Sequence, residues 1–353
     1  MLDLLHLLLV IVSLWSVISF NVFLKKIAVM QSIEQYRSDF LAHMEFRFNI
    51  KEPVNLYEPI SYILHLGGKR LRPVLTLLTT DIFGGDYKKA LDASLAIEVF
   101  HNFSLVHDDI MDEAPLRRGK QTLHKKWDMN TGILSGDAML IYSYQLLETY
   151  PATTYKKLMK LFSKTALEVC EGQQYDVDFE NREDVSIPEY LVMIQNKTAV
   201  LVAAAMKMGA IIADKPIDVQ DMIYDFGRNL GIAFQLQDDY LDAFGDPESF
   251  GKQLGGDIIE NKKTFLYLKA LELGSVEQAQ ELEHLFSIKP RDATNKINTV
   301  KELFQETGAV SRTLTEIETY TDKAFKTLEM LRVEPGKKEI LRQFGTALMK
   351  REV

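Results

Sequence analysis

Leu105-Val106-His107-Asp108-Asp109-Ile110-Met111-Asp112 and, far downstream, Gln237-Asp238-Asp239-Tyr240-Leu241-Asp242 decide how this chain is read. At roughly 100° per residue, Asp108 and Asp112 lie about 40° apart on one helical face, with Asp109 flanking them. The second cluster repeats that spacing, and each one ends an apolar run of helical period. Like charges at this separation weaken a helix slightly unless something neutralises them. At the ends of apolar helices they are expected to face a cleft. Grouped carboxylates suit Mg²⁺, which takes one or two of them together with waters and phosphate oxygens. One such cluster reads equally well as a solvated acidic helix end. Its repetition implies facing helices with metal ions between them.

The rest of the chain is helical in pattern. Apolar residues recur at three- and four-residue spacing over Ile33–Phe48, Ala90–Ile110, Leu134–Leu147 and Tyr155–Val169. The pattern continues over Tyr190–Ala213, Met222–Phe244, Phe265–Leu273 and Val300–Leu331. Most prolines fall between these runs, where helices start and stop. No Ser/Gly-rich linker or tandem repeat interrupts them, so one all-α domain of roughly ten or more helices is predicted. The chain has 353 residues, 46% hydrophobic and 26% charged, which is ordinary for a globular protein. Its net charge of −9 argues against a nucleic-acid partner, which would call for a basic face. The single cysteine, Cys170, excludes an internal disulfide and reads as a small apolar residue.

Residues 1–29 form a hydrophobic extension, and 30–353 carry the folded domain. Leu7 to Leu24 is uncharged and Lys25-Lys26 comes next, a pattern that would anchor a cytoplasmic domain to a membrane. The same stretch also fits a natural start at Met30, where the polar helical pattern begins, or a helix packed on the body. The domain is expected in the cytoplasm, with any membrane contact confined to 1–29.

Cations gather near the carboxylates. In Gly67-Gly68-Lys69-Arg70-Leu71-Arg72-Pro73 a tight glycine turn crowds Lys69, Arg70 and Arg72, and Arg117-Arg118 lies just past the first carboxylate cluster. Arginine forks suit bidentate phosphate contacts, and lysine supplies a compact charge. Seven residues before Asp108, His101 lies roughly 20° off that aspartate, on the same stripe.

The series GGKRLRP, DDxxD, RR, GQxxD, NKT and QxxDDxxD resembles the trans-isoprenyl diphosphate synthases over about Tyr57 to Leu268. The resemblance implies an all-α bundle around a central cavity, acting as a homodimer. It implies Mg²⁺ held mainly by Asp108, Asp112 and Asp238, with Asp109, Asp239 and Asp242 assisting directly or through water. About three Mg²⁺ ions would accompany a bound diphosphate. Lys69, Arg70, Arg72, His101 and Arg118 would hold isopentenyl diphosphate. Arg117, Lys197, Thr198, Gln235, Lys252 and Lys262 would line the allylic diphosphate pocket, with Lys197 counted among the catalytic residues. Gln173 and Asp176 would share a helix face in the cavity. The glycine-rich loop leaves the choice between Lys262 and Lys263 open, and the first cluster lacks the two-residue insertion of many bacterial farnesyl enzymes.

The implied reaction ionises an allylic diphosphate and adds isopentenyl diphosphate, with released diphosphate as the proton acceptor. Geranylgeranyl diphosphate is the expected product and farnesyl diphosphate the alternative. Bulky Phe103 beside small Ser104 matches the family's pocket floor. By helix geometry Phe100 is the better floor, about 80° from Asp108 against about 140° for Phe103. A class I terpene cyclase would not need the GGKRLRP site, and a non-catalytic partner subunit commonly loses one carboxylate cluster.

Overall fold

The computed structural model describes residues 33–246 and 254–350. The extension 1–29 and Lys252, both singled out above, lie outside the described residues. Helix α1 (33–47) is followed by α2 (Val54–His65), α3 (Leu71–Ile82) and the long α4 (Leu91–Met111). A small antiparallel hairpin, β1 (Leu116–Arg117) with β2 (Lys120–Gln121), turns the chain into α5 (Leu123–Lys126) and α6 (Met129–Leu147). Then come α7 (Ala152–Glu180), α8 (Ile187–Ile194), a π-helical turn (Gln195–Ala199), α9 (Val200–Ile212) and α10 (Ile217–Phe244). The C-terminal part holds α11 (Gly256–Ile259), α12 (Phe265–Leu273), α13 (Val276–Ser287), α14 (Thr294–Glu306), α15 (Ala309–Met330) and α16 (Pro335–Met349).

Several expected runs differ from the observed helices for local reasons. The run expected from Leu134 begins at Met129, because the Asp128 carboxylate accepts the Thr131 N–H at 2.9 Å and caps the first turn. The run expected as Val300–Leu331 is broken in two by Gly308, whose φ of 80° lies in the left-handed region. Helix α7 runs on past Val169 to Glu180, which carries Gln173 and Asp176 to the cleft.

Helix α9 is buried on nearly every face, which makes it the central helix. It packs against α3, α7 and α10, and small residues bring the last of these close. A Cβ on Gly231 would meet Ala199 Cα at 2.7 Å, and one on Gly227 would meet Ala203 Cα at 2.9 Å. The run Ile187–Ile212 is long and apolar enough to cross a membrane, yet 61% of its most apolar window is buried inside the protein. Here it serves as core. One apolar cluster fills the space among α1–α4, α6, α7 and α9, and a second lies under α8, α12, α14 and α15. Asp176 of α7 interacts electrostatically both with Asp112 at the end of α4 and with Asp239 near the end of α10.

Candidate active site

The ends of α4 and α10 supply the carboxylates, and the π-helical turn brings lysine to them. Lys197 Nζ lies 2.5 Å from Asp176 Oδ2 on α7 and 3.4 Å from Asp108 Oδ1 on α4. Gly172 on α7 makes this possible, because a Cβ there would collide with the Lys197 backbone nitrogen. The extra residue of a π turn rotates the helix beyond it, so Lys197 and Thr198 point into the cleft and not along the α9 core stripe. Burial would lower the Lys197 pKa, but Asp176 and Asp108 raise it and keep the ammonium charged.

The six motif aspartates are used unequally. Asp108 is partly exposed, and its Oδ1 has no hydrogen-bond partner among the described residues. Asp112 caps α4 at the cleft rim, and its pKa is pushed up to about 6 by burial and by Asp108. Asp109 is 1% exposed and takes the Arg117 guanidinium, with Nε at 2.8 and 2.9 Å from its two oxygens. On α10, Asp239 is 8% exposed and accepts from the Tyr190 hydroxyl and, at 2.8 Å, from Gln235 Nε2. Its pKa is pushed up to about 7, by burial first; the two hydrogen bonds oppose this and Asp238 adds to it. Asp242 accepts the Asp257 backbone N–H at 3.0 Å and anchors the turn that begins α11. Asp109, Asp239 and Asp242 are thus held by protein partners.

Beside them lies a cavity lined by Asp176, Lys197, Thr198, Gln235, Asp257 and Lys262, among others. Thr198 donates to Gln235 Oε1 at 3.0 Å. Lys262 resists the lowering effect of burial because Asp176, Asp257, Glu260 and Asp112 raise its pKa. Lys263 donates to the carbonyls of Phe179 (2.8 Å) and Arg182, closing the end of α7. That assigns the cleft-facing position to Lys262. Gln173 keeps a buried amide nitrogen without a hydrogen-bond partner among the described residues.

A second cavity is lined by Lys69, Arg70, Arg72, His101 and Arg118, and it shares Thr198 with the first. Arg72 lies 3.1 Å from His101 Nε2. Burial, reinforced by Arg118, lowers the Arg72 pKa to about 10; burial and Arg72 hold His101 well below its ordinary value, so the imidazole is neutral. Arg118 donates to the Gly67 carbonyl and packs on Gly68, whose φ of 119° and lack of a Cβ admit it. Arg70 departs from expectation. It borders the cavity, but its guanidinium is turned inward to Glu98 at 2.6 Å and to the Leu64 carbonyl. A buried, fully paired cation braces the turn and has little left for a phosphate.

The residues below the first cluster also come together. Phe103 stacks edge-on against His107 at 4.8 Å, and Phe100 lies 5.5 Å from Phe103 and 5.3 Å from Phe162 of α7. Ser104 donates to the His101 carbonyl at 2.9 Å. Sequence reasoning gave no role to Asp257, Tyr190 or Glu98. Only Glu98, a carboxylate inside an apolar run, carried a signal that could have been noticed.

The donor set fits Mg²⁺. Its ligating atoms are carboxylate oxygens, one of which, Asp108 Oδ1, makes no hydrogen bond among the described residues and is met only by the Lys197 charge at 3.4 Å. Among the described residues no three acidic, histidine or cysteine side chains converge on a point by themselves. An ion completing its shell with water and phosphate needs no such cage.

Residues 53–306 match the polyprenyl synthetase family. A solved geranylgeranyl pyrophosphate synthase is 54% identical and superposes with a TM-score of 0.87, covering 90% of this chain and 98% of its own. The geranylgeranyl pyrophosphate synthase of Geoglobus acetivorans is 38% identical over 81% of this chain and 88% of its own length. A short chain isoprenyl diphosphate synthase of Methanothermobacter thermautotrophicus is 35% identical over 92% of this chain and 99% of its own. Its all-helical fold, two cavities joined at Thr198 and a match across most of its length together show that the chain belongs to the polyprenyl synthetase family, as an isoprenyl diphosphate synthase.

Proposed function

We propose that this enzyme condenses an allylic diphosphate with isopentenyl diphosphate to make geranylgeranyl diphosphate. The observation that carries the reading is the pair of cavities sharing Thr198, one lined by carboxylates and lysines, the other by Lys69 and three arginines set among apolar residues. Two anionic substrates can then lie with their reacting carbons adjacent and their diphosphates apart. Relatives named as geranylgeranyl synthases support the product, as does bulky Phe103 beside Ser104.

Synthases of this family depend on magnesium. We assign about three ions to Asp108, Asp112 and Asp238; when bound, they neutralise the departing diphosphate. Lys197 and Lys262 add fixed positive charge on the same side, and Asp109 holds Arg117 in place to do likewise. Lys69, Arg72 and Arg118 hold isopentenyl diphosphate, with neutral His101 fixed by Arg72. Buried faces of α4, α6 and α7 exclude water from the allylic cation. Released diphosphate takes the proton.

A homodimer is part of this proposal, supported by apolar side chains left exposed along α6 and on α7, among them Leu134, Ile141 and Leu167. We place the catalytic body in the cytoplasm, with any membrane contact through 1–29.

The test is turnover of purified protein with isopentenyl diphosphate, Mg²⁺ and each allylic diphosphate in turn, with product length read by chromatography. Farnesyl diphosphate as the end product would overturn the product assignment. Truncating the true floor should lengthen the product, so Phe103→Ala and Phe100→Ala are compared in the same assay. If neither yields a longer chain, this stretch of α4 does not set the length.

A further inference from the structure

Lys296 is 3% exposed, and among the described residues no carboxylate pairs with it. Its ammonium donates to the Asn261 side-chain oxygen and, at 3.0 Å, to the Ile288 carbonyl, and it lies over the Phe286 ring. A buried charge met only by neutral oxygens is costly, and burial lowers its pKa accordingly. Nothing in the reaction uses it directly. Asn261, which it grips, has a φ of 62°, in the left-handed region uncommon for residues other than glycine. The next residue is Lys262, whose N–H donates to the Asp257 carbonyl at 2.9 Å and whose side chain, 3.5 Å from Glu260, lines the cavity with Asp176 and Asp257. The neighbouring Ile297 packs under Gly255, at the other end of the same loop. One turn of α14 therefore supports both ends of the segment that carries Asp257 and Lys262.

We propose that Lys296 is a positioning residue for the allylic diphosphate site: its buried ammonium anchors the Asn261 side chain to α14 and so fixes where the turn that delivers Lys262 to the cleft sits. The inference rests on the reading of Lys262 as a ligand of the allylic diphosphate. It is tested in the full chain by measuring KM for farnesyl diphosphate and for isopentenyl diphosphate at fixed Mg²⁺, alongside the melting temperature. Lys296→Met should raise the allylic KM by about tenfold and leave the isopentenyl KM in place, since small misplacements of a binding group carry large effects. Asn261→Gly, which keeps the backbone conformation but removes the tether, should produce the same shift. The double variant should add nothing further. Asn261→Asp retains an acceptor and should stay close to wild type. Should Lys296→Met fail to fold, the two Asn261 variants decide the matter. An unchanged allylic KM in Asn261→Gly, or an equal rise for both substrates, overturns the tether. Lys262→Ala separates the two readings. If it leaves the allylic KM unchanged, the site assignment fails and takes the proposal with it. If it raises that KM while Lys296→Met and Asn261→Gly do not, the tether alone is overturned.

Discussion

The ends of α4 and α10 carry the same DDxxD spacing, yet the protein treats them differently. On α4 the first carboxylate, Asp108, lies 3.4 Å from both Arg117 and Lys197, the middle one is locked to Arg117, and the last, Asp112, is exposed at the helix end. On α10 both later carboxylates are locked, Asp239 by Tyr190 and Gln235 and Asp242 by the Asp257 backbone. The cause is the path the chain takes beyond each helix. After Asp112 the chain leaves through Pro115 into a hairpin and exposes the helix end. After Asp242 it returns through Gly255 and Gly256, whose small size lets the turn close over the last carboxylate. Equal spacing therefore does not mean equal surroundings: on α4 the middle carboxylate is the one most firmly held, and on α10 the last two are.

The largest expected effect treats the two ends alike. Asp108→Ala and Asp238→Ala should each lower kcat by about a thousandfold, with the helical circular-dichroism spectrum retained, because each removes charge stabilisation at the leaving diphosphate. Near-normal turnover in either variant would remove that aspartate from the metal set. The next effect should separate the ends. Asp112→Asn is expected to cost about a hundredfold in kcat. Asp242→Asn still accepts the Asp257 N–H and should cost about tenfold at most. Equal losses would mean that Asp242 binds metal after all.

Smaller effects belong to the locked residues. Tyr190→Phe leaves a buried carboxylate oxygen short of a donor and should destabilise the fold by about 1–3 kcal/mol in denaturant titrations. The Asp239 pKa gives a pH signature in chelator-treated protein. Its folded value, about 7, lies above the usual carboxylate range, so the folded chain binds the proton more tightly than the unfolded one. The stability that this proton confers is complete below the unfolded pKa, about 4, and is lost as pH rises through about 7. Asp239→Asn should flatten that part of the melting-temperature profile. An unchanged profile would show that Asp239 ionises freely.

From the sequence alone, periodicity revealed the class of fold, most of its helices and the two acidic helix ends, because a 3.6-residue repeat is a local property. The cation turn was legible for the same reason: Gly67 to Arg72 is a short contiguous segment. Helices α2, α3, α13 and α16 were not among the expected runs, although each carries a clear apolar stripe, and neither were the single turns α5 and α11. What only the tertiary structure decided is which charged groups remain available to bind. Arg70 and Arg72 are two residues apart in one motif, and nothing in their spacing shows that Glu98 claims the first while the second faces His101. Lys262 and Lys263 are adjacent, and only the closing of α7 by Lys263 separates them. The reach of Lys197 to Asp108 and Asp176 depends on a π turn seated on Gly172. Partners in each case come from distant parts of the chain, and long-range pairing of charges leaves no periodic trace in the sequence.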